Sequence, residues 1–147
     1  MANHLHKQIR DAIVTALTGL TTTGARVYAN RLMPLPDATQ PALLITLDDE
    51  TASPLTLGAN PICERELRLS VAAVVKATSA LDDTLDQISK EVEVALANGV
   101  TLSGRRLDFT YTGMSFDDEQ SDKPVGIKRM SFTVPFTAAA NAPDVLN

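Results

Sequence analysis

The chain has 147 residues, a length that suits one domain with its own buried core. Its composition, 44% apolar and 21% charged, is that of an ordinary globular protein. The net charge of −5 argues against a protein that binds nucleic acid regardless of sequence, since such binding needs a basic surface. We expect no membrane-spanning helix, because no apolar run approaches about 18 residues.

The first elements are a helix, a short strand and a central strand. Residues 4–20 carry apolar side chains at a spacing of four, which predicts an amphipathic helix that ends at the Thr-rich run before Gly24. Residues 26–30 are typical of a short strand, and the Pro-rich residues 32–41 are predicted to be irregular. Residues 42–47 are almost wholly apolar, which indicates a central strand. Residues 51–61 are predicted to form a loop that carries Leu55 and Leu57.

A long strand followed by a second helix occupies residues 62–99. Apolar residues alternate from Leu67 to Val75, which indicates a half-buried strand. From residue 80 the period changes to that of a helix, whose apolar stripe is Leu81, Leu85, Ile88, Val92 and Leu96. The pair Asn98-Gly99 supplies the residue types that end a helix in the left-handed conformation.

The last elements are predicted to be two antiparallel strands. Residues 105–116 and 125–137 both alternate, and the polar stretch 117–124 reads as the hairpin loop between them. Pro135 suits an edge strand or the end of a strand. Residues 138–147 show no pattern and are expected to be flexible unless a neighbour holds them. The predicted domain therefore spans residues 1–147, with an ordered core of about 4–137.

These elements predict an α+β fold: a mainly antiparallel or mixed sheet with two amphipathic helices packed on one face. A search for catalytic or metal-binding patterns finds none that predicts a site, and no cofactor is expected. His4 and His6 are two apart, so a helix points them in different directions. The single cysteine, Cys63, lacks a nearby cysteine or histidine and fits a buried or strand-edge thiol in a reducing compartment.

The candidate functional residues are therefore those of the two long loops, because long loops in a compact domain are often functional. Leu55 and Leu57 are either incidental surface residues or docking residues for a partner. The predicted loop 117–124 is acidic and is either a solvated loop or a surface turned toward a partner or lumen. Its candidate contact residues are Asp117, Asp118, Glu119, Asp122 and Lys123. Four arginines are candidates for pairing across strands or subunits: Arg65, Arg68, Arg105 and Arg106.

The order of the elements, together with particular phrases, resembles a known protein family. The chain begins with a helix containing KQIRDAIVTAL, followed by RVYANRLMPLP and QPALLITLDDE, and its second helix reads ALDDTLDQISKEVEVAL. Over residues 4–137 this resembles the tail-terminator, or tail-completion, proteins of tailed bacteriophages, including the minor tail protein U type.

The resemblance implies a structural virion protein without catalysis. Such a protein forms a hexameric ring on the last ring of tail-tube subunits, ends tube polymerisation and offers a surface to the head-side connector or head-completion protein. It implies assembly in the host cytoplasm, a location at the head-proximal end of the tail, and DNA that only passes through the lumen. The alternatives are another neck protein of the head–tail junction, a prophage copy of the same protein, or a small α+β ligand-binding domain or enzyme.

Overall fold

A computed structural model describes residues 3–29, 41–76, 81–119 and 125–147 of the chain. Within those residues the helices are α1 (Leu5–Leu17) and α2 (Leu81–Ala97). The strands are β1 (Val27–Ala29), β2 (Ala42–Pro54), β3 (Ile62–Lys76), β4 (Val100–Leu102), β5 (Arg105–Leu107), β6 (Thr110–Glu119) and β7 (Val125–Ala139). The fold is α+β, as the sequence predicts.

The main sheet has the strand order β1-β2-β3-β7-β6. The pair β1–β2 is parallel and the other pairs are antiparallel, so the sheet is mixed. The short strands β4 and β5 form a separate antiparallel hairpin. Within the described chain, β1 and β6 are therefore the edge strands of the main sheet, and β3 and β7 lie at its centre.

The main core lies between the helices and one face of the sheet, and a smaller buried cluster lies on the opposite face, namely Ala42, Leu44, Ala72, Val74, Val125 and Ile127. The odd-numbered residues of β3 from Leu67 to Val75 point into the main core, as the alternation predicts. Both helices contribute their buried stripes to the same cluster, namely Leu5, Ile9, Ile13 and Leu17 of α1 and Leu85, Ile88, Val92 and Leu96 of α2. The two helices thus cover a single face, and the aliphatic side chains of the two helical stripes account for much of the core.

Three segment predictions are wrong in their local structure. β2 continues to Pro54, where a loop was expected, because its residues pair with Cys63 to Glu66 of β3. Residues 105–116 form two strands, because β5 turns away to pair with β4 before β6 joins the sheet. Asp117, Asp118 and Glu119 belong to β6 rather than to a loop, since they pair with the first residues of β7.

Pro135 lies near the end of β7, at a position where β6 no longer pairs with that strand. β6 begins opposite Thr133, so although β7 is central in the sheet, Pro135 occupies a local edge, as the sequence predicts. The C-terminal segment lies nearby: the N–H of Asn147 donates to the carbonyl of Thr137 at 2.9 Å. The same segment contacts α1, because the N–H of Leu5 donates to the carbonyl of Pro143 at 2.9 Å.

Candidate assembly surfaces

The outer ends of β2 and β3 project as a long hairpin. We call residues 49–66, which comprise these strand ends and the loop between them, the hairpin arm. Antiparallel pairing from Asp49 opposite Arg68 to Pro54 opposite Cys63 builds the arm. The tip is closed by the N–H of Leu55, which donates to the carbonyl of Ile62 at 2.7 Å. All residues from 51 to 60 are exposed, and the side chain of Leu57 is fully exposed.

A β-bulge sets the faces of the arm. The register of β2 shifts between Leu47 and Asp49. Odd-numbered residues of β2 point to the helix face before this shift, and even-numbered residues do so after it. As a result Glu50 points to the helix face, where Arg65 lies 3.6 Å away, and Asp49 points to the other face. There the hydrogen bonds from Arg68 hold the pKa of Asp49 below its ordinary value.

The side chains of the acidic run 48–50 all have partners within the chain. The hydroxyl of Ser70 donates to Asp48 at 2.8 Å, while Asp49 and Glu50 pair with arginines of β3. These pairs confirm the expectation that Arg65 and Arg68 pair across strands. The run is therefore part of the structure of the arm rather than a free acidic surface.

The two N-terminal histidines lie at the base of the arm. Their ring centroids are 4.3 Å apart, so the prediction that they point in different directions is wrong. The reason is that His4 precedes the helix as its N-cap, where helical spacing does not apply; its Nδ1 accepts from the N–H of His6 at 3.0 Å. His6 Nε2 lies 2.7 Å from a carboxylate oxygen of Glu50. No cluster of three or more metal-ligating side chains occurs among the residues that the structure describes.

The edge strand β6 exposes a stripe of large apolar side chains. Tyr111, Met114 and Phe116 are 41%, 49% and 45% exposed. A register shift between Tyr111 and Gly113 keeps all of them on the helix face of the sheet, although a strict alternation from Tyr111 would turn Met114 and Phe116 away. This side of β6 therefore combines an unpaired strand edge with an exposed apolar surface.

A groove of about 350 Å³ separates β6 from the start of α2. We call it the α2–β6 groove. It is lined by the apolar side chains of Leu85, Met114 and Phe116 and by the charged side chains of Asp82, Asp86 and Lys128. Lys128 is only 13% exposed and its Nζ lies 3.1 Å from Asp86, whose side chain is 73% exposed. The groove thus has an apolar floor and an acidic rim.

The β4–β5 hairpin presents positive charge at the other end of β6. Arg105 and Arg106 are both exposed, and Nε of Arg106 donates to Asp108 at 2.6 Å. Arg105 forms no ion pair with any acid in the described parts of the chain. The chain is closely packed at the base of this hairpin: a Cβ on Gly99, which lies between α2 and β4, would be 2.8 Å from Nε of Arg106.

An open cleft of about 490 Å³ lies between this hairpin, β7 and the C-terminal segment. It is lined by Glu64, Arg105, Arg106, Leu107, Pro135, Phe136, Thr137, Leu146 and Asn147. Neither a histidine nor a cysteine occurs among these described lining residues.

The candidate loop residues lie at opposite ends of the sheet. Leu55 and Leu57 are at the tip of the arm, next to the end of β7, because Ile62 pairs with Ala139. Asp117 lies near the start of β7, where Arg129 Nε is 3.5 Å from its carboxylate, and Asp118 and Glu119 follow it in β6. The length of β7 separates the two ends by roughly 45 Å at about 3.4 Å per residue. Asp122 and Lys123 lie outside the described residues.

Comparison with protein families gives the decisive observation. The model of the phage minor tail protein U family matches residues 4–136. The chain belongs to the phage minor tail protein U family. It is therefore a structural component of a phage virion, as the resemblance implied.

Solved structures that are similar to this minor tail protein include two that cover most of its chain. One is a chain of the virion of a native gene transfer agent particle, with 17% identity, a TM-score of 0.49 and 92% of each chain covered. The other has 15% identity and a TM-score of 0.54 over 88% of this chain and 94% of that one. The second likeness supports the fold alone. No match was found among curated proteins.

The exposed apolar stripe of β6 in this minor tail protein is not predicted by the sequence pattern. The alternation places Tyr111 on one face but does not include Met114 and Phe116, because the register shift interrupts it. The sequence does contain one signal for this stripe, since large apolar residues occur in an otherwise polar strand next to the acidic stretch. Within the described residues, no helix is long and apolar enough to cross a bilayer.

Proposed function

We propose that this minor tail protein forms a ring, hexameric by the family resemblance, on the head-proximal end of the tail tube. The ring ends tube polymerisation and offers its other side to the head–tail connector or head-completion protein. It assembles in the host cytoplasm and remains in the virion. Its role is structural, without catalysis and without a cofactor. Family membership and the α+β fold support this proposal.

One observation about the geometry carries the proposal. A ring between a tube and a connector needs separate surfaces for the two partners and further surfaces for its own neighbours. The hairpin arm and the β6–β7 end lie at opposite ends of the same sheet, so they are suited to opposite sides of a ring. Leu55 and Leu57, exposed at the arm tip, are the proposed docking residues of one end. Asp117, Asp118, Glu119, Asp122 and Lys123 belong to the proposed contact surface of the other.

The net charge supports the proposal that DNA passes through the ring without being bound. At −5 per chain, a ring of this protein repels a passing polyanion rather than retaining it. The described acids at 48–50 contact side chains of β3, so the exposed Asp82 and Asp83 at the start of α2 are more available to set the surface potential.

The experiment is to measure the mass of the purified protein by light scattering on a sizing column, alone and with purified tail tubes. Negative-stain images of the tubes show whether their ends are capped. We expect a ring, or a monomer that becomes a ring at tube ends, and tubes that no longer elongate. A protein that stays monomeric and never binds tube ends contradicts the proposal.

Variants of the two ends test the surface assignment. Replacing residues 55–60 by a short Gly-Ser turn removes the arm tip while leaving the strand pairs of β2 and β3 in place. We expect it to lower tube or connector binding without lowering the thermal stability of the monomer. The matched variant shortens the acidic loop between β6 and β7. Intact ring formation and tube capping in either variant would show that its loop is not a contact surface.

A further inference from the structure

The apolar stripe of β6 is a surface that the described residues of the chain leave uncovered. Tyr111, Met114 and Phe116 are each more than two-fifths exposed, and they lie on an edge strand. Exposed apolar edges invite association, and soluble proteins either cover them or use them. The α2–β6 groove adds a concave surface beside the stripe, so this face has the form of a docking site.

The charge of the groove indicates the chemistry of its occupant. Asp82 and Asp86 are exposed at the rim, while the cation opposite them, Lys128, is largely buried beneath Asp86. The rim therefore presents net negative charge to solvent. Phe116 offers an aromatic ring next to it, which favours a guanidinium group over an ammonium group. The groove is suited to a segment that carries arginine and is narrow enough to enter it.

This chain itself presents such a segment in its β4–β5 hairpin. Arg105 has no acidic partner within the described chain, and Arg106 shares only its Nε with Asp108. The turn between the strands is Ser103-Gly104, both at positive φ (52° and 77°), which makes a tight two-residue turn with little side-chain bulk. The hairpin is only two strands wide, about 5 Å between strand axes.

The two surfaces lie at different places on the chain. The hairpin precedes the first residue of β6, whereas the groove lies beside Met114 and Phe116, roughly 20 Å further along the strand at about 3.4 Å per residue. Contact between two different, complementary surfaces of identical chains is heterologous, and such contacts close into rings. Charge complementarity thus selects a second copy of this chain as the occupant of the groove.

We propose that the β4–β5 hairpin of one subunit docks in the α2–β6 groove of the next subunit around the ring. Arg105 and Arg106 pair with Asp82 and Asp86 of the neighbour, and their stems cover Phe116 and Met114. This contact rests on the proposed function, because it supplies the interface between neighbouring subunits of the proposed ring.

A charge swap tests the contact. The variants are Arg105→Glu with Arg106→Glu, Asp82→Lys with Asp86→Lys, and the combination of all four. Each reversed pair is expected to raise the protein concentration needed for half-maximal ring formation roughly 10-fold or more, because like charges then face each other. The combined variant is expected to assemble to within roughly threefold of the unmodified protein. Light scattering and negative-stain images, alone and on tail tubes, provide the readout.

Controls separate charge from fold. Lys7→Glu with Lys90→Glu makes the same change in net charge as the double arginine reversal, on exposed lysines away from the hairpin, and it must leave assembly unchanged. Circular dichroism melting must show that each variant is folded. If Asp86→Lys destabilises the chain through Lys128, Phe116→Ser tests the groove and Arg105→Glu alone tests the hairpin.

The outcomes distinguish the contact from the function. A ring that caps tubes but resists both charge reversals overturns the contact and leaves the proposed function standing. Reversals that weaken assembly without rescue by the combined variant also overturn the contact, because they show no pairing between the two surfaces. An unmodified protein that forms no ring and binds no tube contradicts both.

Discussion

Thr22 donates two hydrogen bonds to the carboxylate of Glu91, from its backbone N–H to Oε1 at 2.9 Å and from its hydroxyl to Oε2 at 2.6 Å. The two residues are 69 positions apart in the chain. The contact fastens the loop after α1 to the outer side of α2, and Gln87 adds a third hydrogen bond to the same carboxylate at 3.0 Å. One side chain thus joins the first helical segment of the chain to the second.

Replacing this carboxylate should loosen that junction. We expect Glu91→Ala to lower the free energy of unfolding by about 1–2 kcal/mol, the range for a partly buried, charge-assisted hydrogen-bond group. The measurement is urea unfolding followed by circular dichroism. Lys90→Ala, on the neighbouring exposed position of α2, is the control and should change stability by less than about 0.5 kcal/mol. Equal losses in both variants would mean that the Thr22 contact contributes nothing specific.

The contribution of Glu91 should also depend on pH. Burial by itself raises the pKa of its carboxyl, but the hydrogen bonds from Thr22 and Gln87 outweigh burial and hold the pKa below its ordinary value of 4.5. A lowered carboxyl pKa means that the stabilisation is present above pH 4.5 and is lost as the pH falls through the folded-state pKa. The stability difference between the native protein and Glu91→Ala should therefore shrink below pH 4.5. A difference that stays constant down to pH 3 would contradict this assignment.

His4 should give a second pH dependence, at higher pH. Burial, followed by the nearby His6 and the Arg65 cation, lowers the pKa of His4 below 6.5, against the opposite influence of Glu50 and Asp144. The neutral ring is also the form whose Nδ1 can accept the N-cap hydrogen bond. Its stabilisation is thus present above pH 6.5 and is lost as the pH falls through the folded-state pKa.

His4→Asn keeps a capping side chain that does not titrate. Thermal unfolding between pH 8 and pH 5 should show a smaller loss of melting temperature for this variant than for the native protein. His6 is present in both proteins and therefore serves as the internal control. Identical pH profiles would show that His4 is not the responsible group.

The sequence predicts the elements whose burial follows one period. The odd-numbered apolar residues of β3 and the stripe of α2 face the same core, so their spacing predicts that core directly. Ala72 and Val74, on the other face of β3, are also buried, so the inner half of β3 is not the half-buried strand that the alternation predicts. The outer half of β2 could not be predicted, because residues 51–54 are exposed and no burial pattern marks them as a strand. Their pairing with β3 is what extends the arm.

The candidate surfaces could be predicted only in part. Leu55 and Leu57 stand out in a polar stretch, and the structure does expose them. The stripe of β6 depends on a register shift near Thr112, which has no local sequence signal. The tie between His6 and Glu50 depends on chain segments 44 residues apart, which only the folded topology brings together.

Core packing beneath α2 should dominate the stability of the chain. Ile88 is 1% exposed and belongs to the main core, so Ile88→Ala should lower the free energy of unfolding by about 2–5 kcal/mol. Val94 lies on the outer side of the same helix and is 58% exposed. Val94→Ala is the matched control and should change stability by less than about 0.5 kcal/mol. Denaturant unfolding of the two variants side by side measures both values, and similar losses would contradict the assignment of the buried face.

The glycine after α2 should be required for two separate reasons. Gly99 has a φ of +76°, which ends the helix in the left-handed conformation, as Asn98-Gly99 predicts. A Cβ at this position would also lie 2.8 Å from Nε of Arg106 and 3.0 Å from the carbonyl oxygen of Leu107. Gly24 has a φ of +56° but open space around the same position, so it isolates the backbone effect.

We therefore expect Gly24→Ala to cost about 1 kcal/mol, the backbone strain of a left-handed residue. Gly99→Ala should cost at least about 2 kcal/mol, because the strain is joined by a clash with a backbone carbonyl that cannot move without shifting β5. Urea unfolding of both variants measures the difference. Since Gly99 fixes the position of the hairpin that carries Arg105 and Arg106, Gly99→Ala should weaken ring formation even where the chain remains folded, whereas Gly24→Ala should not. Equal costs in the two variants would show that the approach of β5 to the end of α2 is looser than these distances indicate.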